Sequence, residues 1–350
     1  MAKKVRVGFI GSGGIAGTHV RWLKPVEGVE VVALSDVSTD AMEKLIKSQE
    51  LDGAKTFTDY RQMLKMEAID AVSVCTPNWL HYKPTIAALK AGKHVIVEKP
   101  MAMNAREAQA MVDAAKKAGK VLSIGFQQRF RPDTQFVRRA IEDGQLGDIL
   151  FCRAQALRRR GIPSWGVFGR KDLQGGGPLI DIGVHIIELT HYLMGKPQPV
   201  AASAQCYTYM GNKKPEATAP WGDWDYKTYT VEDLAAGFVR FDNGATLAIE
   251  ASFAAHIEAD IFTTTLMGTK GGARVGGGAP GIFTDWGGKM INLEPKAMEK
   301  DEAFGRKMRS WIESIRGAEN PSPGEDGVMV QKILDGLYRS AEKGREVAIK

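Results

Sequence analysis

Over its first 125 residues the chain alternates between two periodicities. Val5-Arg6-Val7-Gly8-Phe9-Ile10 and Val29-Glu30-Val31-Val32-Ala33-Leu34 are short apolar runs of strand length, and each leads into a stretch with helical spacing. Lys55–Phe57, Ile69–Cys75, His94–Val97 and Val121–Ile124 read as further strands. Helices are predicted near Ala41–Gln49, from a cap at Thr58 or Asp59 through Lys65, over Leu80–Ala91, and over Ala102–Ala118 with Gly119 closing it. Such alternation is the pattern of a doubly wound parallel sheet.

Beyond Gly125 the pattern changes. A helix near Thr134–Glu142 and a strand at Ile149–Leu157 precede Gly175-Gly176-Gly177-Pro178 and a helix through Met194. Val200–Thr208, Leu234–Phe241, Ala245–Phe253 and Ile261–Met267 then read as successive strands, with Asp242-Asn243-Gly244 as a hairpin turn and Gly276-Gly277-Gly278 as a flexible one. The expected architecture is α/β. A doubly wound domain covers 1–126, and an α+β domain with an open-faced, mainly antiparallel sheet covers 127–350. The last helix, about Gly327–Lys343, is free to pack back on the first domain. Helices on one face of an open sheet leave the other apolar, so a homodimer or homotetramer through that face is expected. Thr218–Tyr229, with Trp221, Trp224, Tyr226 and Tyr229, fits neither period and reads as a long loop.

Composition narrows the class. The 350 residues are 44% apolar and 25% charged, ordinary for a globular chain and long enough for two cores. A net charge of +6 is spread without a basic tail. Arg158-Arg159-Arg160 near Trp165 is the one dense spot; with no nucleic-acid-binding motif beside it, it reads as a strand end or polar substrate site, and no nucleic-acid partner is expected. Cys75, Cys152 and Cys206 are scattered, so neither disulfides nor structural zinc are expected. The apolar segment after Lys3-Lys4 contains Arg6 and breaks at Gly11, too short for a signal peptide, and nothing approaches a membrane span. A cytoplasmic protein is expected.

The first apolar run feeds Gly11-Ser12-Gly13-Gly14-Ile15-Ala16, and Asp36 lies twenty positions beyond Ala16, at the end of the second run. These are the parts of a dinucleotide site. Gly11 makes the tight turn, Gly13 admits a pyrophosphate to the backbone, Ala16 keeps the helix close, and the helix N-terminus binds the anion. Asp36 suits a ribose and repels a 2′-phosphate. Val37 follows it where an arginine would favour NADP, so NAD is the expected cofactor and NADP the lesser candidate, although Lys44 and Lys47 lie further along.

Two further clusters carry chemistry. Glu98-Lys99-Pro100 ends the His94–Val97 strand, on the sheet edge where open α/β folds bind ligands. Pro100 holds Lys99 extended, and a desolvated lysine there can serve proton transfer. The plainer alternative is a surface lysine paired with Glu98. Asp181-Ile182-Gly183-Val184-His185 opens a helix, where residues four apart share a face that Glu188 extends. Gly183 would leave room for substrate at the backbone. No third ligand has diagnostic spacing and His191 lies off that face, so no metal is expected.

With these motifs, and with Cys75-Thr76-Pro77-Asn78 and His81, Gly125-Phe126-Gln127-Gln128-Arg129-Phe130, and Val231-Glu232-Asp233 through Asn243-Gly244, nearly the whole chain resembles the Gfo/Idh/MocA oxidoreductases, which include glucose–fructose oxidoreductase and inositol dehydrogenases. The resemblance implies a Rossmann domain, an open-faced second domain, and NAD(P)-linked oxidation or reduction of a sugar, anhydrosugar or cyclic polyol. It implies Lys99, Asp181 and His185 as catalytic residues. It further implies a cofactor site of Gly11, Ser12, Gly13, Gly14, Ile15, Asp36, Thr76, Pro77, Asn78, His81, Glu98, Lys99 and Gln127. Gln128, Arg159, Trp165, Asp181 and His185 would meet the substrate. Gln127 stands where asparagine is common, and Glu188 where aspartate is. The base could be Lys99 or His185. The fold also serves glycosidases that retain NAD and oxidise a sugar transiently, and nucleotide-sensing regulators; a sensor would have no need of Lys99, Asp181 and His185.

Overall fold

The computed structural model describes residues 4–217 and 220–350. Thr218 and Ala219, at the start of the expected aromatic loop, lie outside the described residues.

The chain opens with β1 (Val5–Ile10), α1 (Gly14–Leu23), β2 (Val29–Ser35), α2 (Thr39–Gln49), β3 (Lys55–Phe57), α3 (Tyr60–Met63), β4 (Ala71–Val74), α4 (Tyr82–Lys90), β5 (His94–Val97), α5 (Ala105–Ala118) and β6 (Leu122–Ile124). The six strands form one parallel sheet in the order β3-β2-β1-β4-β5-β6. Its register aligns Ile10 with Ser35 and Val74, Val74 with Val97, and Val97 with Ile124. One sheet edge therefore presents Gly11, Asp36, Cys75-Thr76, Glu98-Lys99 and Gly125-Phe126 side by side. The strand order reverses between β1 and β4, the crevice where such sheets take nucleotides.

Caps account for the helix boundaries. Asp59 accepts the Arg61 N–H at 2.9 Å and starts α3 as expected. The helix expected from Ala102 begins at Ala105 because the Asn104 side chain accepts the Glu107 N–H at 2.9 Å; Met101 and Ala102 are buried outside it. The helix expected from Leu80 is split, with a 3-10 turn at Asn78–Leu80 before α4.

The next elements are α6 (Pro132–Glu142), β7 (Ile149–Leu157), α7 (Lys171–Gln174), a π-helical turn at Leu179–Gly183 running into α8 (Val184–Leu193), β8 (Pro199–Tyr207), β9 (Leu234–Phe241), β10 (Thr246–Ser252), β11 (Ile261–Gly268), β12 (Gly271–Gly276), β13 (Gly281–Trp286) and β14 (Lys289–Leu293), followed by α9 (Ala303–Ile315), α10 (Gly324–Lys343) and β15 (Val347–Ala348). Among the described residues nine strands form the second sheet, β14-β13-β12-β11-β7-β10-β9-β8-β15, with β7 and β10 paired in parallel and the other neighbours antiparallel.

By contacts, residues 1–127 and 302–328 form one compact unit, and residues 128–301 and 329–350 the other. In the first unit, α9 packs on α1 and places Met308, Trp311, Ile312 and Ile315 in the core with Val5, Phe9, Val20 and Leu34. Gly305 permits the approach, since a Cβ there would stand 2.6 Å from the Trp22 ring. In the second unit, α8 covers β7 and β11. The other face of that sheet is mixed and not simply apolar: Phe151 stacks on Phe238 at 6.5 Å, yet Arg153 donates to Glu250 at 2.8 Å and Gln155 to Glu250 at 3.2 Å.

Candidate active site

Gly11 adopts φ +93°, and a Cβ there would lie 2.6 Å from the Cys75 carbonyl oxygen, so only glycine fits the turn from β1. Gly13 and Gly14 are exposed, with nothing within 4 Å of where a Cβ would stand. α1 has no side-chain cap, which leaves its N-terminus for an anion. The Ser12 backbone N–H donates to Asp36 Oδ2 at 2.7 Å, and the Ser38 N–H to Asp36 Oδ1 at 2.9 Å. The hydroxyls of Ser12 and Thr76 are buried without a partner among the described residues. An open glycine cradle beside orphaned hydroxyls and a strand-end carboxylate fits a dinucleotide. Ile15 is half-buried, and Val37 next to Asp36 is exposed.

At the end of β5 the Glu98 carboxylate turns into the domain interior, where it is 6% exposed. Glu98 Oε1 accepts from Lys307 Nζ of α9 at 2.8 Å and lies 2.9 Å from His19 Nε2 of α1. Glu98 Oε2 accepts the Lys99 backbone N–H at 3.3 Å. His19 Nδ1 lies 2.9 Å from Ser73 Oγ, which is 3.4 Å from Cys75 Sγ. Gly125 presses on the carboxylate, its Cβ position only 2.4 Å from Glu98 Oε1. Burial, and then the Lys307 charge, push His19 down to about 4; Lys307 and His19 hold Glu98 well below the usual carboxylate range against its burial. Glu98 is thus paired with the Lys307 ammonium, with the neutral His19 ring beside both.

Lys99 is half-buried and joined to Pro100 by a cis peptide bond. His81 fastens this segment: its Nδ1 is 2.7 Å from the Pro100 carbonyl oxygen and its Nε2 2.8 Å from that of Thr76. Burial lowers the His81 pKa, and a neutral ring donates to only one carbonyl at a time. Asn78 is buried, Pro77 exposed, and Gln127 and Gln128 are half-buried in a 3-10 turn.

In the second unit, Glu232 fixes the approach to α8. It accepts the Gly177 N–H at 2.9 Å, the Leu179 N–H at 3.1 Å and the Tyr338 hydroxyl at 2.8 Å. Asp233 accepts from Tyr209, Met210 and Gly211 backbone N–H groups at 2.9, 2.7 and 2.7 Å. From Leu179 through His191 every residue is buried except His185, which is half-buried. Asp181 lies in the π-helical turn, a local geometry that recurs at functional sites. Gly183 does not leave room for a ligand as expected: it packs on β10, its Cβ position 3.2 Å from Ala251 Cβ. Glu188 accepts from Arg129 Nε at 2.7 Å and also meets its Nη2, both side chains being buried.

Of the arginine trio, Arg158 feels the charge of Asp181; burial lowers its pKa while Asp181 and Asp260 oppose the shift. Its guanidinium stacks 4.4 Å from the Trp221 ring, which meets Trp165 at 5.4 Å. Arg159 is exposed and donates to the Glu258 carbonyl at 2.9 Å. Arg160 lines a cavity of about 420 Å³ with Tyr209, Lys213, Lys214, Trp224 and His256. Among the described residues, no three of His, Cys, Asp and Glu gather as a metal would need, and no helix is long and apolar enough to cross a membrane.

The sequence reading missed His19, Ser73 and Lys307. Its available signal was Lys307 itself, a cation on the apolar stripe of α9 between Ala303 and Trp311.

The glycine cradle at the carboxyl edge of a doubly wound parallel sheet defines a dinucleotide-binding protein. Residues 5–126 match the NAD-binding Rossmann fold of the Gfo/Idh/MocA oxidoreductase family and residues 138–349 its C-terminal alpha/beta domain, and the chain belongs to that family. It is 38% identical over 349 residues to D-glucoside 3-dehydrogenase of Escherichia coli, spanning 99% of this chain and 97% of that protein. It is 26% identical to myo-inositol 2-dehydrogenase of Thermotoga maritima, covering 99% and 98%. A levoglucosan dehydrogenase solved with NADH and levoglucosan superposes with a TM-score of 0.84 at 25% identity, covering 99% of this chain and 100% of that one.

Proposed function

We propose that the protein oxidises a secondary ring hydroxyl of a pyranoside, with NAD as the acceptor and a ketosugar as the product. The observation that carries this reading is the wall of Trp165, Trp221 and Arg158 in the field of Asp181. Aromatic faces take the C–H surface of a pyranose, and arginine donates to its hydroxyls. The likeness to a D-glucoside 3-dehydrogenase supports the same ring class.

When bound, NAD supplies the hydride acceptor at C4 of its nicotinamide. In our reading the imidazole of His185 takes the hydroxyl proton as the C–H hydride departs, Lys99 donates to the oxygen on which negative charge develops, and Asp181 orients the ring. Ser12, Thr76 and the N-terminus of α1 would hold the pyrophosphate, and Asp36 the adenosine ribose. We further propose that the sheet face bearing Phe151 and Phe238 joins copies of the chain into a homo-oligomer, which Phe238→Glu should dissociate in sedimentation velocity.

The test is nicotinamide absorbance with NAD, then NADP, against alkyl glucosides, levoglucosan, free aldoses and inositols. NADH formation from glucosides, with much weaker use of NADP, is expected. Turnover confined to inositols, or bound NAD that never exchanges with added NAD, would overturn the substrate class or the mechanism.

A further inference from the structure

We propose that the cavity bounded by Arg160, Tyr209, Lys213, Lys214, Trp224 and His256 is an aglycone subsite, and that the aglycone it takes is a ring carrying a carboxylate. The proposal deepens the pyranoside reading and rests on it.

The cavity is built by the second unit alone. It adjoins the wall of Trp165, Trp221 and Arg158 along three segments at once. Arg160 follows Arg158 by two positions and Trp224 follows Trp221 by three; His256 lies three beyond Phe253, the other ring that the Arg158 guanidinium meets. Two of these segments are laced together. The Gly161 N–H donates to the Phe253 carbonyl at 2.7 Å, the Ala255 N–H to that of Arg159 at 3.2 Å, and Arg160 Nη1 to that of Ala255 at 2.9 Å. For a pyranose against the wall, the cavity is the neighbouring space for the group it carries.

Charge and size select that group. The lining holds three cations, Arg160, Lys213 and Lys214, and one carboxylate, Glu216. Among the described residues none of these four side chains is held in an ion pair. A concave site with an excess of positive charge draws an anion. Arg160 uses Nη1 on the Arg159 and Ala255 carbonyls, which leaves its other donors for an acceptor such as a carboxylate. At about 420 Å³ the space is of small-molecule size and exceeds what a lone oxyanion fills. Tyr209, Trp224 and His256 give it aromatic sides, with Tyr209 and His256 edge to face at 6.3 Å. A ring with a carboxylate answers both the walls and the charge.

The base of the site is fixed before any ligand arrives. Asp233 Oδ2 gathers the N–H groups of Tyr209, Met210 and Gly211, and the buried Trp224 indole N–H donates to the Gly211 carbonyl at 2.7 Å. The turn that presents Lys213 and Lys214 is thereby anchored where it starts.

The experiment is isothermal titration calorimetry of the full-length protein with 4-carboxyphenyl glucoside and with phenyl glucoside, each in both anomers. Wild type, Lys213→Ser/Lys214→Ser and Glu216→Gln are compared, and the readout is the ratio of the two affinities within each protein. The proposal predicts that the carboxylate tightens binding to the wild type by about tenfold, the scale of one charge-assisted contact, and that added salt shrinks the gain. The lysine variant should lose most of it, and Glu216→Gln should enlarge it. Lys213 and Lys214 are exposed, so their replacement leaves the core intact. Equal affinities in the wild type, or an unaltered ratio in the lysine variant, overturn the proposal. Displacement of the carboxyphenyl glucoside by an equal concentration of inorganic phosphate would make the cavity a site for free anions and overturn the aglycone assignment. Calorimetry with NADH in place of NAD permits no oxidation. A glucoside that binds with the predicted ratio there but is never oxidised with NAD therefore sinks the pyranoside oxidation and not the subsite.

Discussion

Asp36 accepts the backbone N–H of Ser12 at 2.7 Å, which ties the acidic tip of β2 to the loop between β1 and α1. One carboxylate thus holds the glycine loop in shape, and in the proposed function it also meets the adenosine ribose. Asp36→Ala should weaken NAD binding by about tenfold or more, the scale of losing a hydrogen bond to a charged group, and should narrow the preference over NADP. Fluorescence titration with NADH and NADPH checks both. Unaltered affinities for the two would remove Asp36 from the cofactor site.

Gly11 and Gly13 belong to one motif but should fail differently. Alanine at Gly11 meets both a left-handed backbone and the Cys75 carbonyl, so Gly11→Ala should lower stability by about 1–3 kcal/mol. Gly13→Ala points a methyl into open space, so the melting temperature should hold while NAD affinity falls. Thermal melts with and without NAD separate the two effects. Equal losses of stability would contradict this division.

The buried Glu98, His19 and Lys307 cluster predicts how stability follows pH. His19 titrates at about 4 in the folded protein but near 6.5 when unfolded, so between those values the unfolded chain binds the extra proton. That contribution is full above pH 6.5 and is lost on acidification towards 4, on the order of 3 kcal/mol. Glu98, depressed below its usual range, adds a loss as pH falls through about 4.5 and lower, whereas Glu232, raised by burial, acts in the opposite direction. Denaturant melts from pH 7 to 4 should show falling stability, with a shallower slope in His19→Gln. A flat profile would contradict the burial of His19 as a neutral ring.

Glu232 joins the approach to α8 to Tyr338 of α10. Glu232→Ala strips acceptors from the Gly177 and Leu179 N–H groups and should cost about 2 kcal/mol in stability, with a fall in kcat from misplacement of Asp181 and His185. Stability and turnover measured together test this. Wild-type values for both would show that the clamp is dispensable.

The alternating first domain was legible because each strand and helix is locally consistent: apolar β1, the glycine turn, the Asp59 cap and Gly119 all agree with the tertiary result. Strands β12 to β14 escaped because Gly271, Gly272, Gly276 and Gly281 dilute their propensity, and their pairing comes from the ladder with β11. α9 escaped because Gly305, Arg306 and Lys307 interrupt its apolar face, although Trp311 and Ile312 anchor it. The motifs carrying Lys99, Asp181 and His185 could be read from the sequence, while their proposed catalytic roles rest on the family resemblance. The direction of Glu98 could not, since its partners His19 and Lys307 are 79 and 209 positions away. Gly183 was misread for a related reason: the strand that fills the space beside it lies 68 residues further on, at Ala251.

The most direct test of the account is stopped-flow nicotinamide absorbance after mixing the protein and NAD with an alkyl glucoside, using wild type, Lys99→Ala and His185→Ala. The account predicts NADH formation in the wild type and a fall of about 10²–10⁴ in the rate in at least one variant, without loss of NAD binding. NADH formed at the wild-type rate by both variants would contradict it.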